Sequence, residues 1–252
     1  MKISIVTISF NQKKYLQHCI ESILSQQNCD LEYIVVDPGS TDGSRELIES
    51  YGERIIKVFA ADQGPADGLI QGFKQATGDI YGFINSDDYL LPDALRCVND
   101  YFCKQGLKHF VTGHGFSKEI SGSLTQIRPR TLTAKTMLHR ADVMFQPATF
   151  FPALAYKEVG GFNLSNTTCW DYELFLNFLL SGFEHEVLPQ NLAVFRLHEG
   201  SISGSGRLTE RYLNDLDKLF IEICGRPRNA NDKLLTYFLR LKREILRRLG
   251  FA

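Results

Sequence analysis

The chain has 252 residues, 44% of them apolar and 23% charged, with a formal net charge of −1. That length suffices for one large domain or a domain with an extension, and the near-neutral total gives no electrostatic case for nucleic-acid binding. Six cysteines without zinc-like spacing, no leader pattern before the first strand, and no apolar run near the roughly 20 residues of a membrane span point to a cytosolic, reduced protein.

The first half alternates between two periods. Residues 3–8, nearly all β-branched, read as a buried strand. Leu16, Cys19, Ile20, Ile23 and Leu24 recur at helical spacing and give one apolar stripe. Residues 33–36 form a second strand, and Ser40-Thr41-Asp42-Gly43 is a helix start ahead of Leu47 and Ile48. Residues 55–59 supply a third strand, 66–76 a helix, 80–84 a strand, 92–104 a helix and 108–112 a strand. This order predicts an α/β chain with a mainly parallel central sheet flanked by helices.

The second half is less regular. Residues 113–146, with Gly, Ser and Thr clusters, are expected to be a loop-rich insertion. Residues 149–151 look like a strand, 171–180 like a helix, and 185–188 and 192–195 like two further strands. From Arg207 the pattern is helical, broken near Gly225-Arg226-Pro227. Residues 226–252 carry eight Arg and Lys against two acids, a local excess of +6, so the preceding residues sum to −7.

The chemistry concentrates at strand ends. Ser9-Phe10-Asn11, then Asp37 to Gly43, then Ala61-Asp62-Gln63-Gly64, then Asn85-Ser86-Asp87-Asp88 each follow a predicted strand. Ligands of open α/β sheets sit outside the strand C-termini, so these loops should converge on one crevice. Two adjacent carboxylates after a buried strand suit a divalent cation, whereas a helix cap needs one. Neither a dinucleotide fingerprint nor a P-loop occurs.

These motifs, together with Gln146-Pro147-Ala148-Thr149-Phe150-Phe151, Val159-Gly160-Gly161-Phe162, Trp170-Asp171-Tyr172-Glu173 and Arg196-Leu197-His198-Glu199-Gly200-Ser201, resemble family 2 glycosyltransferases of the GT-A fold. The likeness covers about residues 1–205. It implies a catalytic domain there, with a nucleotide-sugar half over 1–112 and an acceptor half over 113–205. Residues 206–252 are left as a C-terminal helical extension.

On this resemblance, Thr7, Ile8, Ser9 and Asp37 hold the base and ribose of a nucleotide sugar. Asn85, Ser86, Asp87 and Asp88 occupy the place of the D-x-D motif, with Asp87 on Mn²⁺ or Mg²⁺. Asp171 matches the catalytic base, and His198 an additional metal or diphosphate contact. Three positions depart from the pattern: Pro38 replaces an Asp that often touches the base, Asn85 the first Asp of D-x-D, and Leu69-Ile70 a basic phosphate contact. Arg196 and His198 are the substitutes expected to clamp the phosphates.

The chemistry implied is metal-assisted, inverting transfer from a UDP-, GDP- or dTDP-sugar to a hydroxyl of a glycan or lipid-linked glycan, as in bacterial-type surface polysaccharide or glycolipid synthesis. Plainer readings stand beside it. Asp37 could be a turn residue, Asp42 and Asp171 helix caps, and Asp62 and Asp67 either caps or donor-sugar contacts. His198 could be simply hydrogen-bonded, and Trp170 could be core or an acceptor platform. The whole could be a catalytically silent nucleotide-sugar-binding or scaffold module; a nucleotidyltransferase lacks its Gly-rich triphosphate loop. The basic, apolar-periodic C-terminus, with Leu234, Leu235, Phe238, Leu241, Ile245, Leu246 and Leu249, is expected to pack on the domain, pair with a second subunit, or lie at the inner face of a membrane.

Overall fold

The computed structural model describes residues 1–142, 144–200 and 208–248. Period-two alternation builds its first layer. In β1 (Lys2–Ile8), Ile3 and Ile5 face one core while Val6 faces the other. β2 (Asp30–Val36) and β3 (Ile56–Val58) extend this parallel sheet on one side, and β4 (Ile80–Phe83) extends it on the other. The crossovers are α1 (Lys13–Leu24), α2 (Ser44–Ser50) and α3 (Pro65–Phe73). Leu16, Cys19, Ile20 and Ile23 bury the stripe of α1, as its spacing requires.

Beyond β4 come the short β5 (Tyr89–Leu90), α4 (Ala94–Gln105), β6 (His109–Lys118), β7 (Leu124–Ile127) and α5 (Ala134–Leu138). β8 (Thr149–Pro152), α6 (Ala153–Glu158), α7 (Trp170–Leu180) and β9 (Glu184–Arg196) complete the sheet region. The nine strands run β3-β2-β1-β4-β8-β6-β9-β5, with β7 on β6. β8 is antiparallel to both neighbours, and β6 and β9 are parallel to each other. α8 (Thr209–Cys224) and α9 (Ala230–Arg248) follow.

One expectation is extended and one corrected. Residues 113–146 are loop-rich but also carry regular structure: β6 runs to Lys118, doubles back through β7, and leads into α5. His185 holds this segment, since its buried ring takes the Leu132 amide on Nδ1 at 2.9 Å and meets Thr112 Oγ1 through Nε2 at 2.9 Å. Burial lowers the pKa of this imidazole to about 3, so it stays neutral. The two short strands expected over 185–195 are one continuous β9, whose pairing with β6 shifts register around His114.

The opposite core is aromatic. Phe73, Tyr81, Phe83, Phe151 and Phe175 fill the face beneath α3 and α7, with Phe110 stacked on Phe175 at 5.8 Å. Trp170 is partly buried against Phe83 (5.7 Å) and Phe162 (5.3 Å), so much of its ring serves this core. That packing seats the start of α7 beside β4, the strand that leads into the paired carboxylates.

Candidate active site

The strand-end loops bind one another. Asn11, at φ 53°, takes the Thr41 amide on Oδ1 at 2.9 Å and donates its own amide to Ser40 Oγ at 2.8 Å. Gly39 and Gly43 sit at φ 138° and 90°, conformations that few L-residues adopt, so the 37–43 loop can curl back over β1. Asp42 is spent on this loop: it accepts from the Ser44 amide (3.0 Å), the Ser44 hydroxyl (2.6 Å) and the Lys13 amide (2.9 Å). It thus binds the first amides of both α1 and α2, although the N-cap position of α2 is Gly43 and not Asp42.

Asp37 is fully buried. Its Oδ1 accepts from the amides of Gly39 (2.9 Å) and Ser40 (2.8 Å), and Arg45 Nε lies 3.4 Å away. Among the described residues its Oδ2 has no partner, and neither does the buried Ser9 Oγ. Asp88 repeats the pattern, since Oδ1 accepts the Arg196 amide at 2.8 Å while Oδ2 is buried and has no partner among the described residues. Buried polar atoms nearly always find partners, so three orphans at the ends of β1, β2 and β4 mark a place built to receive something polar. Burial and the adjacent Asp87 push the Asp88 carboxyl well above the ordinary range.

Asp87 and His198 meet directly, Oδ2 to Nε2 at 3.0 Å, and the His198 ring packs on Tyr15 at 4.6 Å. Arg196, only 8% exposed, lies over Tyr89 (4.6 Å) and Tyr15 (5.5 Å) and bonds to His18 Nδ1. Burial and this guanidinium keep the pKa of His18 low. Asn85 and Ser86 flank the carboxylates, with Ser86 buried. Asp67, in the first turn of α3, takes the Gln63 amide at 3.0 Å, and Asp62 takes that of Gly64 at 3.0 Å. Leu69, which stands where the resemblance would place a basic phosphate contact, is fully buried in the core beneath α3.

Thr7 was expected among the donor contacts. It has no exposed surface, and its hydroxyl accepts from Tyr33 at 3.0 Å, so its side chain belongs to the core under α1. Ile8 is partly exposed at the end of β1. Ser201 lies outside the described residues.

Asp171 occupies the first turn of α7, with Oδ1 accepting the Tyr172 amide at 2.8 Å. Burial raises its pKa to about 6 against these backbone bonds. An acid poised there can hold or release a proton near neutrality. Tyr212 on α8 feels this carboxylate, which helps burial raise the phenol to about 12. The sequence does not single out Tyr15, His18, Arg45, Tyr89 or Tyr212. Only the helical parity of Tyr15 and His18 with the exposed face of α1 hinted at them.

The profile described as "Glycosyl transferase family 2" matches residues 4–151. An uncharacterised glycosyltransferase of Rickettsia typhi is 26% identical over 86% of this chain and 68% of its own length. The putative teichuronic acid biosynthesis glycosyltransferase TuaG of Bacillus subtilis is 26% identical over 81% of this chain and 82% of its own. A Nostoc relative is 37% identical but matches only 40% of this chain and 33% of its own. Among solved structures, S. aureus TarS 1–349 in complex with UDP-GlcNAc has a TM-score of 0.73 at 18% identity, covering 95% of this chain and 70% of that one. The Pyrobaculum calidifontis mannosyltransferase PcManGT, in complex with GDP-Man and Mn²⁺, gives 0.66 at 14% identity over 94% and 68%. A profile match across more than half the chain, on a sheet of GT-A form, shows that this protein belongs to glycosyl transferase family 2 and is a glycosyltransferase.

Proposed function

We propose that this enzyme moves a sugar from a nucleoside diphosphate to a hydroxyl of a glycan or lipid-linked glycan, with inversion, in surface polysaccharide or glycolipid synthesis. The observation that carries it is the set of buried oxygens of Ser9, Asp37 and Asp88 at neighbouring strand ends that have no partner among the described residues. The donor binds there, with its base and ribose against Ile8, Ser9 and Asp37. Its phosphates and sugar lie along Asn85, Ser86, Asp87 and Asp88, with Asp67 at the sugar edge. Arg196 supplies positive charge beside the diphosphate. Names support the setting: TuaG is a putative teichuronic acid enzyme, and the TarS and PcManGT complexes hold UDP-GlcNAc and GDP-Man.

The residues present fit a divalent cation. Asp87 and His198 offer a carboxylate oxygen and an imidazole nitrogen at mutual contact, and Asp88 adds a buried oxygen without a partner among the described residues. Among the described residues no cluster of three such side chains is assembled, so phosphate oxygens and water would complete the shell. Bound there, Mn²⁺ or Mg²⁺ would stabilise the negative charge of the leaving diphosphate.

The chain's own part is proton and position. Asp171 accepts the proton of the acceptor hydroxyl as that oxygen attacks the anomeric carbon and the nucleoside diphosphate departs. A single base opposite the leaving group yields inversion. A cleft of about 410 Å³ lined by Ser165, Thr167 and Arg211 opens between the 163–168 loop and α8, and we assign it to the approaching acceptor. The test is donor turnover by wild type, Asp87→Ala and Asp171→Asn. The reading expects both variants to lose transfer while Asp171→Asn still binds donor, and near wild-type turnover by both overturns it.

A further inference from the structure

The C-terminal helix has two apolar faces, where its sequence suggested one. Leu235, Leu239 and Leu246 are half-buried on the side toward the domain. That side is fastened by Arg240 Nε to the Arg140 carbonyl (3.1 Å) and by Arg243 to the Ala141 carbonyl (2.6 Å). Leu234, Tyr237, Phe238, Leu241 and Ile245 stand on the other side at 54%, 62%, 54%, 42% and 48% exposure. Their spacing of three and four residues makes one continuous row. On a helix turning 3.6 residues per turn, Lys233 and Arg240 fall along one edge of that row and Lys242 along the other. At the Lys242 edge a groove of about 540 Å³ separates helix from sheet, with Arg130, Lys242 and Arg243 around Pro129, Val187 and Leu246.

We propose that α9 docks this enzyme on an anionic lipid bilayer. The exposed row enters the headgroup–acyl boundary, and the flanking cations and the basic groove meet lipid phosphates. Charge selects this occupant over a second copy of the chain. A symmetric dimer through α9 would set one +6 segment against another, whereas an anionic surface complements it. The remaining −7 is repelled by that surface, so the molecule approaches with α9 foremost. No helix among the described residues is long and apolar enough to cross a membrane, so the contact is peripheral. The proposal is independent of how donor and acceptor are held.

The test is co-sedimentation of the full chain with vesicles of phosphatidylcholine alone or with about one-third phosphatidylglycerol. We expect at least tenfold tighter binding to the anionic vesicles, weakened severalfold by 0.5 M salt. Leu241→Ser with Ile245→Ser should reduce it tenfold or more, as should Lys233→Glu with Lys242→Glu, with unchanged circular dichroism and melting temperature confirming the fold. Equal binding to neutral vesicles, or no binding by folded wild type, overturns the proposal. So does a dimer in analytical ultracentrifugation that the Leu241 and Ile245 pair of substitutions dissolves.

Discussion

Asp171→Asn should make the protein more stable and nearly inactive. Burial holds this carboxyl up to about 6, whereas an unfolded Asp titrates near 4. The folded state therefore binds a proton that the unfolded state releases between those values. Ionisation of Asp171 destabilises the fold as pH rises through about 6, and the penalty is absent below about 4. The full difference corresponds to about 3 kcal/mol at pH 8. Asn carries no charge and keeps an oxygen for the Tyr172 amide, but forfeits a helix N-terminal anion worth about 0.3–1 kcal/mol. A net gain of about 2–3 kcal/mol, at about 2–4 °C each for a chain of this size, raises the melting temperature by about 4–12 °C.

Calorimetry at pH 8 and pH 5 measures this gain, which should shrink markedly at the lower pH. Transfer by the variant should fall by about 10²–10⁴. Wild-type turnover should drop about tenfold per pH unit below about 6. A variant that is destabilised equally at both pH values and still transfers would show Asp171 to be an ordinary helix cap, and the reasoning would fail.

Three further outcomes follow from the geometry. A bound donor at a hundredfold excess over its Kd should stabilise wild type by about 2.7 kcal/mol; Asp87→Ala should lose whatever part of that melting shift requires Mn²⁺. Glu32 accepts from Lys2 (2.6 Å), Ser4 (2.6 Å) and Thr77 (2.6 and 2.7 Å), bonds that hold its carboxyl down at about 2 against its burial. This stability is present above the usual Glu value and fades as pH falls toward 2, so Glu32→Gln should cost about 1.5–3 kcal/mol in urea unfolding at pH 7 and much less at pH 3. A Cβ on Gly115 would strike the Ala193 carbonyl and the Phe145 ring, so Gly115→Ala should lower stability by about 1–3 kcal/mol in the same assay.

The nucleotide half was legible because its signals are local. β-branched runs, an amphipathic stripe on α1 and polar clusters after strands all lie within a few residues of the features they specify. Parity could have corrected one expectation: Thr7 is in phase with Ile3 and Ile5, so its side chain turns to the α1 core. What escaped depends on distant partners. The length of β6 follows from its pairing with β9 and from Gly113 and Gly115, which Leu192 and Ala193 press upon. His185 organises residues 128–133 from more than fifty positions away. The seating of Arg196 between Tyr15 and Tyr89 joins three segments that no local pattern links. On α9, adjacent Leu234 and Leu235 fit either side of a helix, and only tertiary contact decided which face turned inward.

The central claim is that the carboxylates at the strand ends hold a nucleoside diphosphate sugar. Calorimetric titration of Asp171→Asn with UDP-, GDP- and dTDP-sugars in the presence of Mn²⁺ tests it without interference from turnover. The account predicts saturable binding of at least one donor, weakened tenfold or more by adding Asp37→Ala or Asp87→Ala. Binding untouched by either substitution, or no binding of any donor by the folded protein, would contradict it.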